Sequence, residues 1–259
     1  MAVGAAFGGN VLTLCAEHHC SRIIFAVDRV ESQGAPPFDQ LRRVREPVSR
    51  SKAGVQGKVA DVVSGRSRHA ESQNELKAFQ IVVATARADY WQEQPFTLEY
   101  RHDGANHRYT PDALLVWGEK RTVVEIKEDK EAESAEAQAK FAAIEDRLAE
   151  HGYQFRLWKS SEIRAEPRLS NANLILRYRS VTVSPEQRER VRRAFASTPE
   201  IELRSLCDVT KVPVQSLLRL VIDGAVYIDW WRPLCPSAAV SNMPIGRQEW
   251  PVLQRPNGP

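Results

Sequence analysis

The sequence predicts an α/β chain of the α+β kind, with a mixed central sheet flanked by helices and a small helical module after it. Three observations lead there. An amphipathic helix precedes a run of strands, a long helix and a further strand follow that run, and a Ser-Pro helix start then opens a group of short helices. At 259 residues the chain has room for one full domain and a smaller one.

In order, residues 1–65 mix Gly, Pro, Ser and Arg without a sustained period and read as a basic, largely irregular extension, with one short strand at Arg22 to Val27. From His69 to Arg87, Leu76, Phe79, Val83 and Ala86 recur at helical spacing, with Ser72 as N-cap. Phe96 to Arg101, His107 to Trp117 and Arg121 to Lys127 read as a meander of strands joined at Asp103-Gly104 and Gly118-Glu119. A helix from about Ser134 to His151 ends at Gly152, Tyr153 to Trp158 alternates as another strand, and a helix near Asn171 to Tyr178 closes the unit. These spans give a central domain over 66–180, a second over 181–245 and a tail over 246–259.

Composition narrows the class. No stretch approaches the roughly 20 apolar residues a membrane span needs. The first residues lack an early Lys or Arg, and Glu17, His18 and His19 break the apolar run, so a signal peptide is not expected and the chain is placed in the cytoplasm. Cys15, Cys20, Cys207 and Cys235 form no disulfide framework, and Cys15, His18, His19 and Cys20 lack the second ligand pair of a structural metal site. The net charge of +3 decides nothing, but its distribution is uneven. Arg42, Arg43, Arg45, Arg50, Lys52, Lys58, Arg66 and Arg68 face only Glu46 and Asp61, a bias suited to a phosphate backbone and equally to a solvated tail. The acidic run from Glu128 to Glu150 reads as a solvated helix face.

The chemistry concentrates in Pro111-Asp112 and Glu125-Ile126-Lys127. If Gly118-Glu119 is a two-residue turn, Trp117 pairs with Lys120, and counting back sets Asp112 opposite Glu125. Cross-strand Cβ atoms lie about 4.5–5.5 Å apart, a spacing at which two carboxylates repel unless a cation lies between them. Lys127 shares the face of Glu125, where an ammonium can orient water and offset charge building on a phosphate. The alternative is an exposed hairpin carrying a salt-bridge cluster. The apolar runs Ala113 to Trp117 and Val123-Val124 argue against it, since they suggest strands buried on both faces. Glu75 has two readings. Ser72-Gln73-Asn74-Glu75 is a capping box in which Glu75 folds back onto the Ser72 amide, yet Glu75 also lies one turn before Phe79, beside the core-facing stripe. Glu71, four residues earlier on the same face, is the fallback.

A helix Glu, Pro-Asp on a strand and Glu-x-Lys on the next resembles the PD-(D/E)xK nuclease superfamily. Ser-Gln-Asn-Glu-Leu-Lys-Ala-Phe, Tyr-Thr-Pro-Asp-Ala-Leu-Leu-Val and Val-Val-Glu-Ile-Lys resemble, more narrowly, TnsA, the endonuclease subunit of heteromeric transposases, over about residues 66–180 with a looser echo to about 240. The resemblance implies a restriction-endonuclease-like core in which Glu75, Asp112 and Lys127 are catalytic. Glu125 stands where some members have Gln, so its place as a ligand is compatible with the family and not required by it. It further implies Mg²⁺, with Mn²⁺ as a substitute, held by Glu75, Asp112 and Glu125. The implied substrate is double-stranded DNA at transposon ends, cut at the 5′ ends of the element, and the implied partners are a transposase subunit and an ATPase regulator. Two other functions share these residues: a stand-alone restriction- or repair-type nuclease, and a silent DNA-binding or scaffold subunit.

The second module starts at Ser184-Pro185 with a helix carrying Arg188, Arg190, Arg192 and Arg193. Ile201 to Cys207 and Pro213 to Ile222 follow at helix-turn-helix spacing, Gly224 ends the last helix, and Ala225 to Trp231 supplies a wing strand, so the module reads as winged-helix-like. Only Lys211 and Arg219 sit on or beside the reader helix, so a packing module without DNA contact is an equal alternative. The resemblance implies a carboxy-terminal part that meets partner proteins as well as DNA. Trp230 and Trp231 read as core or interface, with core the preferred assignment.

Overall fold

A computed structural model of the chain describes residues 10–15, 21–27, 36, 38–44, 57–86, 88–247 and 250. The chain runs through β1 (Asn10–Cys15), β2 (Ser21–Val27), β3 (Leu41–Arg42), β4 (Gly57–Asp61) and β5 (Arg66–Ala70) to helix α1 (Gln73–Ile81), which widens into a π turn at Val82–Ala86. β6 (Tyr90–Glu93), β7 (Phe96–His102), β8 (Ala105–Tyr109), β9 (Ala113–Trp117) and β10 (Lys120–Lys127) come next. Helices α2 (Asp129–Ala132) and α3 (Ala135–Ala149) lead to β11 (Gln154–Lys159), α4 (Ser160–Ile163) and α5 (Arg168–Leu176). Then follow α6 (Pro185–Ser197), β12 (Glu200–Glu202), α7 (Leu203–Thr210), α8 (Val214–Asp223), β13 (Tyr227–Ile228) and β14 (Ala239–Ser241). The result is a mixed α/β fold with several sheets and helices, compatible with a nuclease core. Its two compact units are each discontinuous in sequence: residues 1–56, 69–75 and 88–161, and residues 57–68, 76–87 and 162–259.

In the first unit β1, β2, β7 and β8 lie side by side in an antiparallel sheet, with β3 also on β2. Alternation decides its faces. Ile23, Phe25 and Val27 of β2 and Phe96, Leu98 and Tyr100 of β7 point into the core, while Arg22 and Glu99 pair across the other face. The second sheet has the order β11-β10-β9-β6 and is mixed: β10 runs parallel to β11, and the other pairs are antiparallel. A parallel pair needs a crossover, and α2 with α3 provides it. Ser134 caps α3 by accepting from the Ala137 amide at 3.2 Å, and the helix buries Phe141, Ile144 and Leu148 against Leu114, Val116 and Val123 of this sheet. Every residue of β9 is buried, as its unbroken apolar run predicts.

The second unit pairs β4 with β5, of which it holds residues 66–68, and sets α6, α7 and α8 with a small sheet of order β12-β14-β13. Ser184 forms a capping box with Gln187 at the start of α6, and Gly224, at φ 70°, ends α8. Helix α8 buries Ser216, Leu217, Leu218, Leu220, Val221 and Ile222, packed against α5, α7 and the π turn. The Asn171 side chain pins the segment after β13: its amide donates to the carbonyls of Arg232 at 2.8 Å and Trp230 at 3.3 Å, and its oxygen accepts from the Leu234 amide at 3.1 Å. Trp230 is core, whereas Trp231 is half-buried, with the guanidinium groups of Arg168 and Arg247 4.8 and 5.3 Å from its ring centre.

Several expectations need revision. The strand expected over His107 to Trp117 is broken at Thr110-Pro111-Asp112, because Pro111 has no N–H for a ladder; β8 stays with the first sheet and β9 joins the second, so the expected single meander is divided between them. The first helix begins at Gln73 because His69 and Ala70 belong to β5. The extension over 1–65 is not largely irregular where it is described: besides the expected strand, it carries β1, β3 and β4, with β1 and β3 paired to β2 and β4 paired to β5. The division expected at residue 180 differs from the interleaved units, in which α5 goes with the later helices. His18, His19, Cys20, Arg45, Glu46, Arg50 and Lys52 lie outside the described residues, as does most of the expected tail.

Candidate active site

Between the two sheets' shared core and the start of α1, the first unit gathers the acids that the sequence singles out. The β9–β10 register runs from Trp117 opposite Lys120 to Ala113 opposite Val124, so the next position sets Asp112 facing Glu125. Gly118 makes this turn possible with φ 56°, a left-handed conformation that costs glycine little. Asp112 Oδ2 accepts from the Ile126 amide at 2.7 Å, which ties the acid to the strand that carries Glu125. Lys127 Nζ lies 3.1 Å from Glu125 Oε1 and 3.6 Å from Glu131. Glu125 is 6% exposed, so this is a buried carboxylate with an ammonium at its mouth.

Glu75 enters from α1. The Glu75 amide donates to Ser72 Oγ at 3.1 Å, the expected cap, but its carboxylate reaches past the Ser72 amide and accepts from the Glu71 amide at 2.8 Å. Glu71 itself is turned to Arg43, at 2.6 Å. Glu75 remains close enough to Asp112 that its charge raises the proton affinity of that acid.

The electrostatics follow from crowding acids in a dry place. Asp112 keeps some exposed surface, but the protein around its carboxyl strips water from it. That desolvation, then repulsion from Glu125 and Glu75, holds it well above the usual carboxylate range. Burial likewise raises Glu125, with Lys127 and Tyr109 pulling the other way, and burial raises Glu75. Burial favours neutral Lys127, yet Glu125 and Asp112 overcome it and raise its pKa, so the side chain is an ammonium at neutral pH.

Tyr109 is the site residue that sequence reasoning missed. Its hydroxyl, buried with the ring, donates to Glu125 Oε2 at 2.9 Å. Within a strand it reads as core, and its place just before Pro111-Asp112, where the chain changes sheet, is the signal that was there to find. Asn74 also belongs near the site, donating to Glu128 at 2.7 Å.

Among the described residues no three His, Cys, Asp or Glu side chains converge as a ready metal cage. The donor set still suits a hard cation. Mg²⁺ commonly takes one or two carboxylates and keeps water for the remainder, and Asp112 with Glu125 offers two acids whose mutual repulsion a cation relieves.

Residues 87–160 match the family model described as TnsA-like endonuclease N terminal. The matched segment contains Tyr109, Asp112, Glu125 and Lys127 and stops short of Glu75, whereas the resemblance noted in the sequence begins at about residue 66. No curated protein matches the chain.

Proposed function

We propose that this chain, which carries a TnsA-like endonuclease domain, is the metal-dependent DNA endonuclease subunit of a heteromeric transposase, cutting the 5′ ends of a mobile element. The observation that carries the reading is the facing pair Asp112 and Glu125, with the Lys127 ammonium beside it, inside the matched segment. Asp112 and Glu125, extended by Glu75, would hold Mg²⁺, or Mn²⁺ in its place. When bound, the ion supplies positive charge to the scissile phosphate and makes a water more acidic.

The chain's own groups have distinct tasks. Lys127 is protonated, so it donates hydrogen bonds and takes no proton: it orients the attacking water or a phosphate oxygen and offsets the charge that grows there as the new P–O bond forms and the sugar oxygen leaves. Tyr109 holds one oxygen of Glu125 and thereby fixes which one faces the open side. Ile126 does the same for Asp112 through its amide.

The order α6, β12, α7, α8, β13, β14, with β14 between the other two strands, supports a winged-helix-like module. Its reader helix by position would be α8, whose apolar residues are buried. Arg219, the basic residue on it, is bonded to Asp223 at 2.8 Å and to the Arg179 and Val181 carbonyls. These observations favour a module that packs over one that reads a groove, and contact with the partner transposase subunit or ATPase regulator is what the resemblance adds. No helix among the described residues is long and apolar enough to cross a membrane, in keeping with a cytoplasmic role on DNA.

The test is Mg²⁺-dependent cleavage of a transposon-end duplex, with and without the partner proteins, by wild type, Asp112→Ala and Lys127→Ala. Cleavage lost by both variants supports the reading. Equal cutting by all three removes the assigned site, and efficient site-specific cutting by wild type in the absence of the partner proteins points to a stand-alone nuclease.

A further inference from the structure

Arg43 follows β3 directly, in a part of the first unit that precedes α1 and lies outside the matched segment. Its side chain is only 11% exposed and donates in two directions: Nε to Gln94 Oε1 at 2.9 Å, and Nη2 to Glu71 Oε1 at 2.6 Å. Each acceptor adjoins one acid of the site. The Gln94 amide donates to the Asp112 carbonyl at 3.1 Å, and the Glu71 amide donates to Glu75 Oε2 at 2.8 Å. A continuous path of hydrogen bonds therefore joins Asp112, Gln94, Arg43, Glu71 and Glu75.

Gln94 is strained in a way that makes sense on this path. It has φ 43°, a left-handed conformation outside glycine, and is 5% exposed. Such residues persist where their surroundings over-determine them. Here the backbone is held at both ends, by its donation to Asp112 and by the Val44 amide, which donates to the Gln94 carbonyl at 3.0 Å. Glycine would adopt this conformation more readily, but only a side chain gives Arg43 an acceptor.

We propose that Arg43 is a positioning residue that fixes the spacing of Glu75 and Asp112 by gripping Glu71 and Gln94 at once. The assignment rests on reading Glu75 and Asp112 as acids of the nuclease site. A guanidinium suits the task because its planar fork holds two acceptors in fixed directions, whereas an ammonium is a point donor on a flexible stem. The inward bonds also separate Arg43 from the phosphate-tracking role that its basic stretch suggested.

The experiment compares Arg43→Lys, Arg43→Ala and Gln94→Gly with wild type in the full chain. It measures the single-turnover rate of Mg²⁺-dependent cleavage of an end duplex, the Kd for that duplex without divalent metal, and Mn²⁺ affinity by titration calorimetry. Removing groups bonded directly to metal ligands typically costs about 10–100-fold in metal affinity or activity, and Arg43 stands one bond further out, so about tenfold is the scale here. A loss of that order in cleavage rate is expected for all three variants, with weaker Mn²⁺ binding and DNA Kd within about twofold of wild type. Unchanged rate and Mn²⁺ affinity in folded Arg43→Ala overturn the assignment. A loss confined to DNA Kd, with the salt slope reduced by about one, overturns it too by marking Arg43 as a phosphate contact. If Arg43→Ala does not fold, Gln94→Gly decides on the same criteria, since it keeps the backbone path and loses only the acceptor. Wild type that neither cuts DNA nor binds Mn²⁺ removes the nuclease reading and this assignment with it, an outcome distinct from active wild type and indifferent variants.

Discussion

At Asp112 stability and the proposed activity pull in opposite directions, because burial and the charges of Glu125 and Glu75 all favour the neutral acid. Its folded pKa lies above the ordinary 3.8, so its contribution to stability is full below that value and is lost as pH rises through the folded pKa. Asparagine keeps an oxygen for the Ile126 amide and carries no charge. Asp112→Asn is therefore expected to abolish Mg²⁺-dependent cleavage while raising the metal-free Tm at pH 7.5, by about 2–4 °C for each kcal/mol of repulsion removed. Calorimetry with and without Mg²⁺ checks this, since the ion should stabilise wild type and not the variant; a lower metal-free Tm would contradict the argument. Tyr109→Phe tests the other acid. Losing the 2.9 Å bond leaves a buried Glu125 oxygen short of a donor, a cost of about 1–3 kcal/mol in stability, and lets Glu125 rotate, so cleavage should slow at least several-fold with DNA affinity unchanged. A rate equal to wild type would show that Glu125 needs no such anchor.

The β9–β10 hairpin is the element on which the site depends, and it was legible in the sequence because its turn and its apolar runs agree on one register. Trp117 opposite Lys120 follows from Gly118-Glu119, and the facing of Asp112 and Glu125 follows from that pair. Gly118→Val is expected to cost about 1–2 kcal/mol, the strain of a left-handed residue with a side chain, read as a lower midpoint in urea. A midpoint equal to wild type would mean the turn has other conformations open to it. The break at Pro111 was written in the sequence but hidden between the strand-forming Tyr109-Thr110 and the apolar run Ala113 to Trp117, and with it went the role of Tyr109. β1 was harder, because what makes it a strand is its pairing with β2, and β2 in turn pairs with β7 across some seventy residues of chain, which no local pattern encodes. The path through Arg43 is of the same kind: its five residues come from three separate segments of the first unit. Glu75 shows the intermediate case, where the cap at Ser72 was readable and the reach to the Glu71 amide was not.

At the scale of the whole molecule, pH and chain order each make a prediction. In the first unit Ser21 Oγ donates to Glu150 at 2.7 Å and lies 3.0 Å from His151 Nε2, joining the start of β2 to the end of α3. Burial lowers the His151 pKa below the ordinary 6.5, partly offset by Glu150. The neutral ring therefore contributes stability above pH 6.5 that is lost as pH falls through the folded pKa, and His151→Gln should flatten the fall in Tm between pH 7.5 and 5.5. An equally steep fall in the variant would place the titrating group elsewhere. The second unit draws residues 57–68 and 76–87 into a body otherwise formed by 162–259. Helices α5 and α8 both pack on the π turn at Val82–Ala86, whose Val82, Val83, Ala84 and Thr85 are buried, so cutting the chain between residues 161 and 162 strips a face from both. A fragment of residues 162–259 should keep its helical far-ultraviolet signal, bind a hydrophobic dye strongly and melt without a sharp transition, because its helices form but one apolar face lacks its cover. A cooperative melt with weak dye binding would show that the later helices complete a core on their own, and that the early segments decorate this unit without building it.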